Sequence, residues 1–121
     1  MEFAELQRRL REFADERDWH RFHTPKNLAM ALSGEVGELT EIFQWLTPEE
    51  SRDVMSDPRT AEQVRHELAD VLAYLVRLAD VLDVDLMAAS EEKLRVNAAK
   101  YPVELARGRA DKYDRLRPDG T

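Results

Sequence analysis

The stretch EVGELTEIFQW, residues Glu35–Trp45, decides the fold because it repeats apolar residues at helical spacing and also places three glutamates three residues apart. At about 100° per residue, Glu35 falls inside the apolar arc of this helix, whereas Glu38 lies at its border and Glu41 points to solvent. An ionised carboxylate removed from water is costly unless it is paired or bound to a metal. No Lys or Arg follows Glu35 within one turn, so the sequence predicts a cation there.

Capping residues followed by proline mark where helices begin. Thr24-Pro25 and Thr47-Pro48 are such pairs, and Glu50 completes a capping box in the second. Five helices are predicted. The first is amphipathic and runs from Phe3 to the DERD run, the second runs from about Pro25 to Leu46, and a short third one begins at Pro48 and ends at Asp57-Pro58. The fourth is capped by Thr60 with Gln63 and extends to about Leu82, and the fifth is capped by Asp85 and ends at Tyr101, before Pro102.

The composition favours helices over strands. Apolar residues make up 43% of the 121 residues, Ala, Leu, Glu and Arg abound, and there is a single Ile. We predict an all-α bundle of four to five helices that is oligomeric, with one domain over residues 1–102. Residues 103–121 lose helical periodicity and are predicted to form an extended tail, partly ordered or contacting a neighbouring subunit.

Charge and cysteine content restrict the function. A net charge of −7 argues against general affinity for nucleic acid or an anionic membrane surface. There is no cysteine, which excludes disulfides, thiolate zinc sites and cysteine nucleophiles. Because the sequence has neither a long apolar run nor a signal-peptide pattern, we expect a soluble, cytoplasmic protein.

A second pair of acids repeats the pattern of the first. Glu67 and Asp70 flank the apolar arc of the long helix, so antiparallel packing would bring them to Glu35 and Glu38. Four carboxylates suit a hard cation, Mg²⁺ or Mn²⁺, which also takes oxygens from a phosphate. A di-iron site needs Glu-x-x-His pairs, and the sequence has none, since His66 directly precedes Glu67.

Glu35-x-x-Glu38 followed by Glu67-x-x-Asp70 resembles the signature of the MazG-like all-α nucleoside triphosphate pyrophosphohydrolases. The segments RDWHRFHTPKNLAMALSGEVGELTEIFQW, HELADVLAYLVRLAD and KLRVNAAKYPVELARG are most similar to the dCTP pyrophosphatase branch. The resemblance implies hydrolysis of a deoxynucleoside triphosphate, dCTP or a modified dCTP, to the monophosphate and diphosphate. It also implies Mg²⁺ held by these four acids, water activated by Glu38 or Glu35, and a homotetramer built as a dimer of dimers.

Aromatic and polar residues outside the acid pairs are candidates for substrate binding. Without the resemblance, the aromatic candidates are best explained as core packing and the polar candidates as a solvent-exposed helix face. The resemblance implies instead that the first group surrounds the base and sugar and that the second, on the last helix, binds the substrate. The candidates are Trp19, His23, Trp45 and Tyr74 in the first group and Lys93, Asn97, Lys100 and Tyr101 in the second, with Arg109, Lys112 and Tyr113 as weaker ones.

One segment departs from the resemblance. PEESRDVMSDPRTAEQ, between the two acidic helices, has no strong match to any one branch, which leaves the preferred base less certain than the reaction. Two further hypotheses compete with the enzyme: a non-catalytic helical module that binds metal and nucleotide, and a purely structural bundle. The enzyme requires the acids for turnover, whereas the structural bundle would tolerate Glu35→Gln or gain stability from it.

Overall fold

The computed structural model describes residues 1–116, which contain helices and turns and no β-strand. This confirms the predicted all-α class. The helices are α1 (Phe3–Glu16), α2 (Pro25–Phe43), α3 (Pro48–Arg52), α4 (Pro58–Val81), α5 (Leu86–Lys100), α6 (Val103–Ala106) and α7 (Tyr113–Leu116), with 3₁₀ turns at His20–Phe22 and Val54–Ser56.

Helices α2 and α4 form the principal packing pair and run antiparallel. Near the end of α4, Arg77 lies 3.4 Å from His23, which immediately precedes α2. Ten residues earlier on α4, Glu67 meets Glu38 from the second half of α2. The buried apolar side chains of the first 84 residues are small or aliphatic and include Ala14, Leu28, Ala61, Val64, Val76 and Ala79.

Helix α1 is joined to α4 through one carboxylate. Asp80 accepts a hydrogen bond from Gln7 Nε2 at 3.0 Å and two from Arg11, of which the shorter is 2.6 Å. Arg77, on the preceding turn of α4, donates to the same carboxylate at 3.1 Å. A half-buried aspartate thus holds two arginines, one exposed on α1 and one buried on α4.

The predicted caps are confirmed at three helices and wrong at one. Thr24, Thr47 and Asp85 accept from the backbone as expected, and Thr47 forms the full capping box with Glu50. Helix α2 ends at Phe43, three residues before the predicted end, and the backbone is extended by Thr47. Helix α4 begins at Pro58, not at Thr60, because Asp57 accepts from the Arg59 N–H and is the N-cap.

Helices α1 and α4 end in the same backbone motif. Asp18 and Asp83 have φ of 54° and 56°, and in each case the next residue donates to a carbonyl five residues back. This is the Schellman arrangement, which needs a left-handed residue and usually takes Gly; Asp is among the few other residues that tolerate it. The first of these turns places Trp19 at the start of the loop into α2.

The chain divides into two compact units, residues 1–84 and residue 85 onward. The second unit contains α5, α6 and α7, so the described part of the predicted tail includes two helical turns. Residues 117–121 of that tail lie outside the described residues. The division at residue 102 stays a prediction. Among residues 1–116, no helix combines the length and the apolar character needed to cross a bilayer.

Candidate metal centre and substrate site

Three of the four predicted metal ligands meet between α2 and α4. One carboxylate oxygen from each of Glu35, Glu38 and Glu67 lies within 4.8 Å of the other two. The helical spacing of three residues puts Glu35 and Glu38 on one side of α2, and antiparallel packing brings Glu67 to them. Glu35 and Glu67 are half-buried, while Glu38 is exposed. As predicted, Glu41 is exposed to solvent.

The polar surroundings of this group fit a divalent cation. The Oε2 atoms of Glu35 and Glu67 are buried and have no hydrogen-bond partner among the described residues. The ion pairs within residues 1–116 include none with these glutamates or with Glu38. Mg²⁺, Mn²⁺ and Ca²⁺ prefer oxygen ligands, and anionic oxygens that lack a hydrogen-bond partner are suited to them.

The position of Glu35 in this group raises its pKa to about 7. The main cause is removal of its carboxyl from water, followed by a hydrogen bond with Glu67 and the negative charges of Glu38 and Asp70. Without a cation, Glu35 therefore retains its proton to nearly neutral pH. A cation among these oxygens reverses the local electrostatics and favours the carboxylate.

Asp70 lies outside the three-glutamate group but near enough for its charge to act on Glu35. It also lines a cavity of about 270 Å³ on the α1 side of α4. That volume is slightly below the range typical of small-molecule pockets, about 300–1,000 Å³. The walls are mainly aromatic and aliphatic and include Phe13, Trp19, His23, Asp70, Tyr74 and Arg77.

The structure brings together three of the four predicted base-binding aromatics. Trp19, His23 and Tyr74 line this cavity, and the rings of Trp19 and His23 stand edge to face at 6.0 Å. Trp45 does not line it and is 86% exposed. Sequence reasoning missed Arg77, because an arginine outside the apolar arc of a helix is expected at the surface until its burial, 4% exposed, is seen.

The candidates on α5 belong to the second unit. Lys93 is exposed and Asn97 is half-buried. The Lys100 ammonium lies 5.0 Å from the ring centroid of Tyr113, and Tyr101 contacts the same ring edge to face at 6.3 Å. Their roles toward a substrate stay predictions.

Two of the weaker candidates lie in the segment after α6. Arg109 is paired with Asp111 at 2.6 Å, whereas Lys112 is exposed. The third, Tyr113, is engaged by Lys100 and Tyr101. Their roles also stay predictions.

The class of protein that the fold and site define is an all-α bundle with glutamates from two antiparallel helices clustered in a group that could hold a divalent cation. The sequence model of the MazG-like family matches residues 30–116, a span that contains Glu35, Glu38, Glu67 and Asp70. The chain belongs to the MazG-like family, which confirms the resemblance stated above.

Individual relatives agree with this assignment. The chain is 50% identical to dCTP pyrophosphatase 1 of rat over 110 residues and of human over 105 residues. These matches cover 91% and 87% of this chain, and 64% and 62% of the relatives. The chain thus spans just under two thirds of the length of these curated relatives. A crystal structure of a pyrophosphatase from Archaeoglobus fulgidus superposes with a TM-score of 0.77 and 46% identity, covering 82% of this chain and 91% of the other.

Proposed function

We propose that this protein is a Mg²⁺-dependent nucleoside triphosphate pyrophosphohydrolase that converts a deoxynucleoside triphosphate, dCTP or a modified dCTP, to the monophosphate and diphosphate and so removes it from the nucleotide pool. The observation that carries the proposal is the convergence of Glu35, Glu38 and Glu67, with two buried, unpaired oxygens. The names of the relatives, dCTP pyrophosphatase 1 and pyrophosphatase, support the same reaction.

Glu35, Glu38, Glu67 and Asp70 would hold the Mg²⁺. When bound, the cation neutralises charge on the phosphates and lowers the pKa of water. Mn²⁺ has the same ligand preferences and would substitute. A water attacks the α-phosphorus, the bond from that phosphorus to the bridging oxygen breaks, and diphosphate leaves.

Glu38 is the candidate for accepting the proton of the attacking water. It is the exposed member of the three glutamates, and it lines an open groove of about 400 Å³ together with Gln63 and Glu67. A general base must reach its water by a hydrogen bond, and exposure permits this. Glu35 is less suited, because its carboxyl is half-buried and faces the other acids. It would act by holding the metal and orienting Glu38.

The cavity lined by Trp19, His23 and Tyr74 would take the base and sugar. Asp70 borders this cavity and lies near the glutamates, so the phosphate and base ends of one nucleotide would be adjacent. Lys93, Asn97, Lys100 and Tyr101, which belong to the second unit, are proposed to bind the substrate as well. Trp45, which is exposed, would contact substrate only after assembly with another subunit.

We further propose a homotetramer built as a dimer of dimers. Helix α4 exposes Leu68, Leu72 and Leu75, which follow helical spacing, and burial of such a row favours association. Light scattering after size exclusion measures the assembly directly. A cytoplasmic location stays a prediction from the sequence.

The reaction is tested by incubating the protein with dCTP and Mg²⁺ and identifying the products. We expect dCMP and diphosphate; dCDP and orthophosphate would contradict the proposed bond cleavage. Glu38→Gln is expected to abolish turnover, and Glu62→Gln, exposed on α4 and outside the groove, is the control that should retain it. A panel of the common triphosphates then ranks the bases.

The alternative, a non-catalytic module that binds metal and nucleotide, predicts a different pattern. Mg²⁺ would raise the melting temperature and a chelator would lower it, while no triphosphate in the panel would be hydrolysed.

A further inference from the structure

Arg77 is buried with one donor unused. Its Nη1 donates to Asp80 at 3.1 Å, and its Nη2 lies 3.4 Å from Nδ1 of His23. Its Nε is buried and has no hydrogen-bond partner among the described residues. A buried donor without an acceptor costs roughly 1–3 kcal/mol and calls for an explanation. The Arg77 side chain lines the 270 Å³ cavity while its Nε is enclosed by neighbouring atoms, so a ligand in the cavity would supply the acceptor once a small shift of the cavity wall exposes Nε.

The contact with His23 makes this end of the cavity a donor surface. A guanidinium has only donors, so Nδ1 of His23 must offer its lone pair, and the neutral ring then carries its hydrogen on Nε2. Burial and the charge of Arg77 lower the pKa of His23, which agrees with a neutral ring. A ligand facing these two residues is favoured if it presents acceptors and disfavoured if it presents N–H groups.

The position of Arg77 on α4 gives the direction of the bound ligand. Glu67, Asp70, Tyr74 and Arg77 follow spacings of three, four and three residues, so they form one stripe on a single face of α4. Ten residues of α-helix span about 15 Å. The metal-binding glutamate therefore lies at one end of the stripe and Arg77 at the other, with the aromatic walls near Arg77.

We propose that Arg77 is a specificity-determining residue: its Nε–H donates a hydrogen bond to a carbonyl oxygen or ring nitrogen on the base of the nucleotide, acceptors that cytosine presents at O2 and N3. The inference rests on the proposed function, because it places the base in this cavity and the phosphates at the glutamates. Arg77 reads the base and takes no part in the phosphate chemistry.

The test compares dCTP with the triphosphate of abasic deoxyribose, which has the same phosphates and sugar but no base. Arg77→Lys puts a methylene at the position of Nε and keeps a cation for Asp80. We expect it to lower kcat/KM for dCTP roughly tenfold and to leave the abasic substrate unchanged. The control is Arg11→Gln, which removes the other arginine that binds Asp80. Because Arg11 does not line the cavity, this variant should leave the ratio of kcat/KM between the two substrates unchanged.

An equal loss on both substrates, or no loss on dCTP, would overturn the role of Arg77. If the wild-type protein hydrolyses neither substrate, the proposed function fails, and calorimetric binding of the same two compounds still decides the role of Arg77. If Arg77→Lys does not fold, the inference can still be tested on the wild-type protein by NMR. In ¹⁵N spectra the buried Nε–H signal of Arg77 should shift on addition of dCMP and not of abasic deoxyribose monophosphate; an unchanged signal contradicts the inference.

Discussion

Glu35 and Glu67 lie on antiparallel helices, and each buries a carboxylate oxygen, Oε2, that has no hydrogen-bond partner within residues 1–116. Two acids so placed repel each other when both are ionised, so the metal-free protein carries an electrostatic strain that a divalent cation removes. The site is thus formed at the expense of stability. Because the metal-free site is strained, measurements of stability test the proposed metal site as directly as measurements of turnover.

Glu35→Gln should separate stability from activity. Removing an uncompensated half-buried charge is expected to leave the free energy of unfolding of the metal-free protein unchanged or to raise it by about 1 kcal/mol. Losing a metal ligand should lower kcat/KM by more than about 100-fold. Urea denaturation with chelator and a diphosphate-release assay measure the two effects. A strongly destabilised variant would show that Glu35 is satisfied by a contact other than a metal.

The stability of the metal-free protein should depend on pH through Glu35. Its pKa is about 7 in the folded protein against 4.5 for the ordinary side chain, so between these values the folded state binds more protons than the unfolded state. The contribution of this group to the free energy of unfolding is therefore greatest below pH 4.5 and falls as pH rises to 7. Chelator-treated Glu35→Gln should show a flatter profile over this window. Identical profiles for the two proteins would contradict the assignment.

Divalent cations should stabilise the folded protein. A ligand that binds only the folded state at about 100 times its dissociation constant contributes about 2.7 kcal/mol. We expect Mg²⁺ to raise the melting temperature, and Glu67→Gln to abolish most of that shift. Glu62→Gln is the control, since Glu62 lies on the same helix and is exposed. An equal Mg²⁺ shift in Glu67→Gln and wild type would place the cation elsewhere.

Helical periodicity and capping chemistry predicted the main helices, because both are local properties of sequence. The pairing of Glu35 and Glu38 with Glu67 was predictable too, since antiparallel helices must bury their apolar arcs against each other. The start of α4 was not, because Asp57 and Thr60 both offer a capping oxygen and only the backbone at Pro58 decides between them. Arg77 was missed for a tertiary reason: Asp80 is a local partner three residues away on α4, but the burial of Arg77 and its contact with His23 arise only once the helices are packed.

Asp80 should contribute far more to stability than Arg11, although the two form a single ion pair at 2.6 Å. The Asp80 side chain is 12% exposed and also compensates the buried Arg77, so Asp80→Asn leaves a buried charge without its partner. We expect a cost of about 3 kcal/mol. Arg11 is 49% exposed, and Arg11→Gln leaves Asp80 its bonds from Gln7 and Arg77, so at most about 1 kcal/mol should be lost.

The hydrogen bond and charge of Arg11 lower the pKa of Asp80 against the opposing effect of burial. The folded state therefore binds fewer protons than the unfolded state just below the ordinary value of 3.8, and this stabilisation is present above pH 3.8 and lost as pH falls through the lower folded pKa. Urea denaturation of both variants at pH 7 and pH 3 measures how much unfolding free energy each one loses. The loss in Asp80→Asn should exceed that in Arg11→Gln by less at pH 3 than at pH 7. Equal costs for Asp80→Asn and Arg11→Gln at pH 7 would mean that Arg77 does not depend on Asp80.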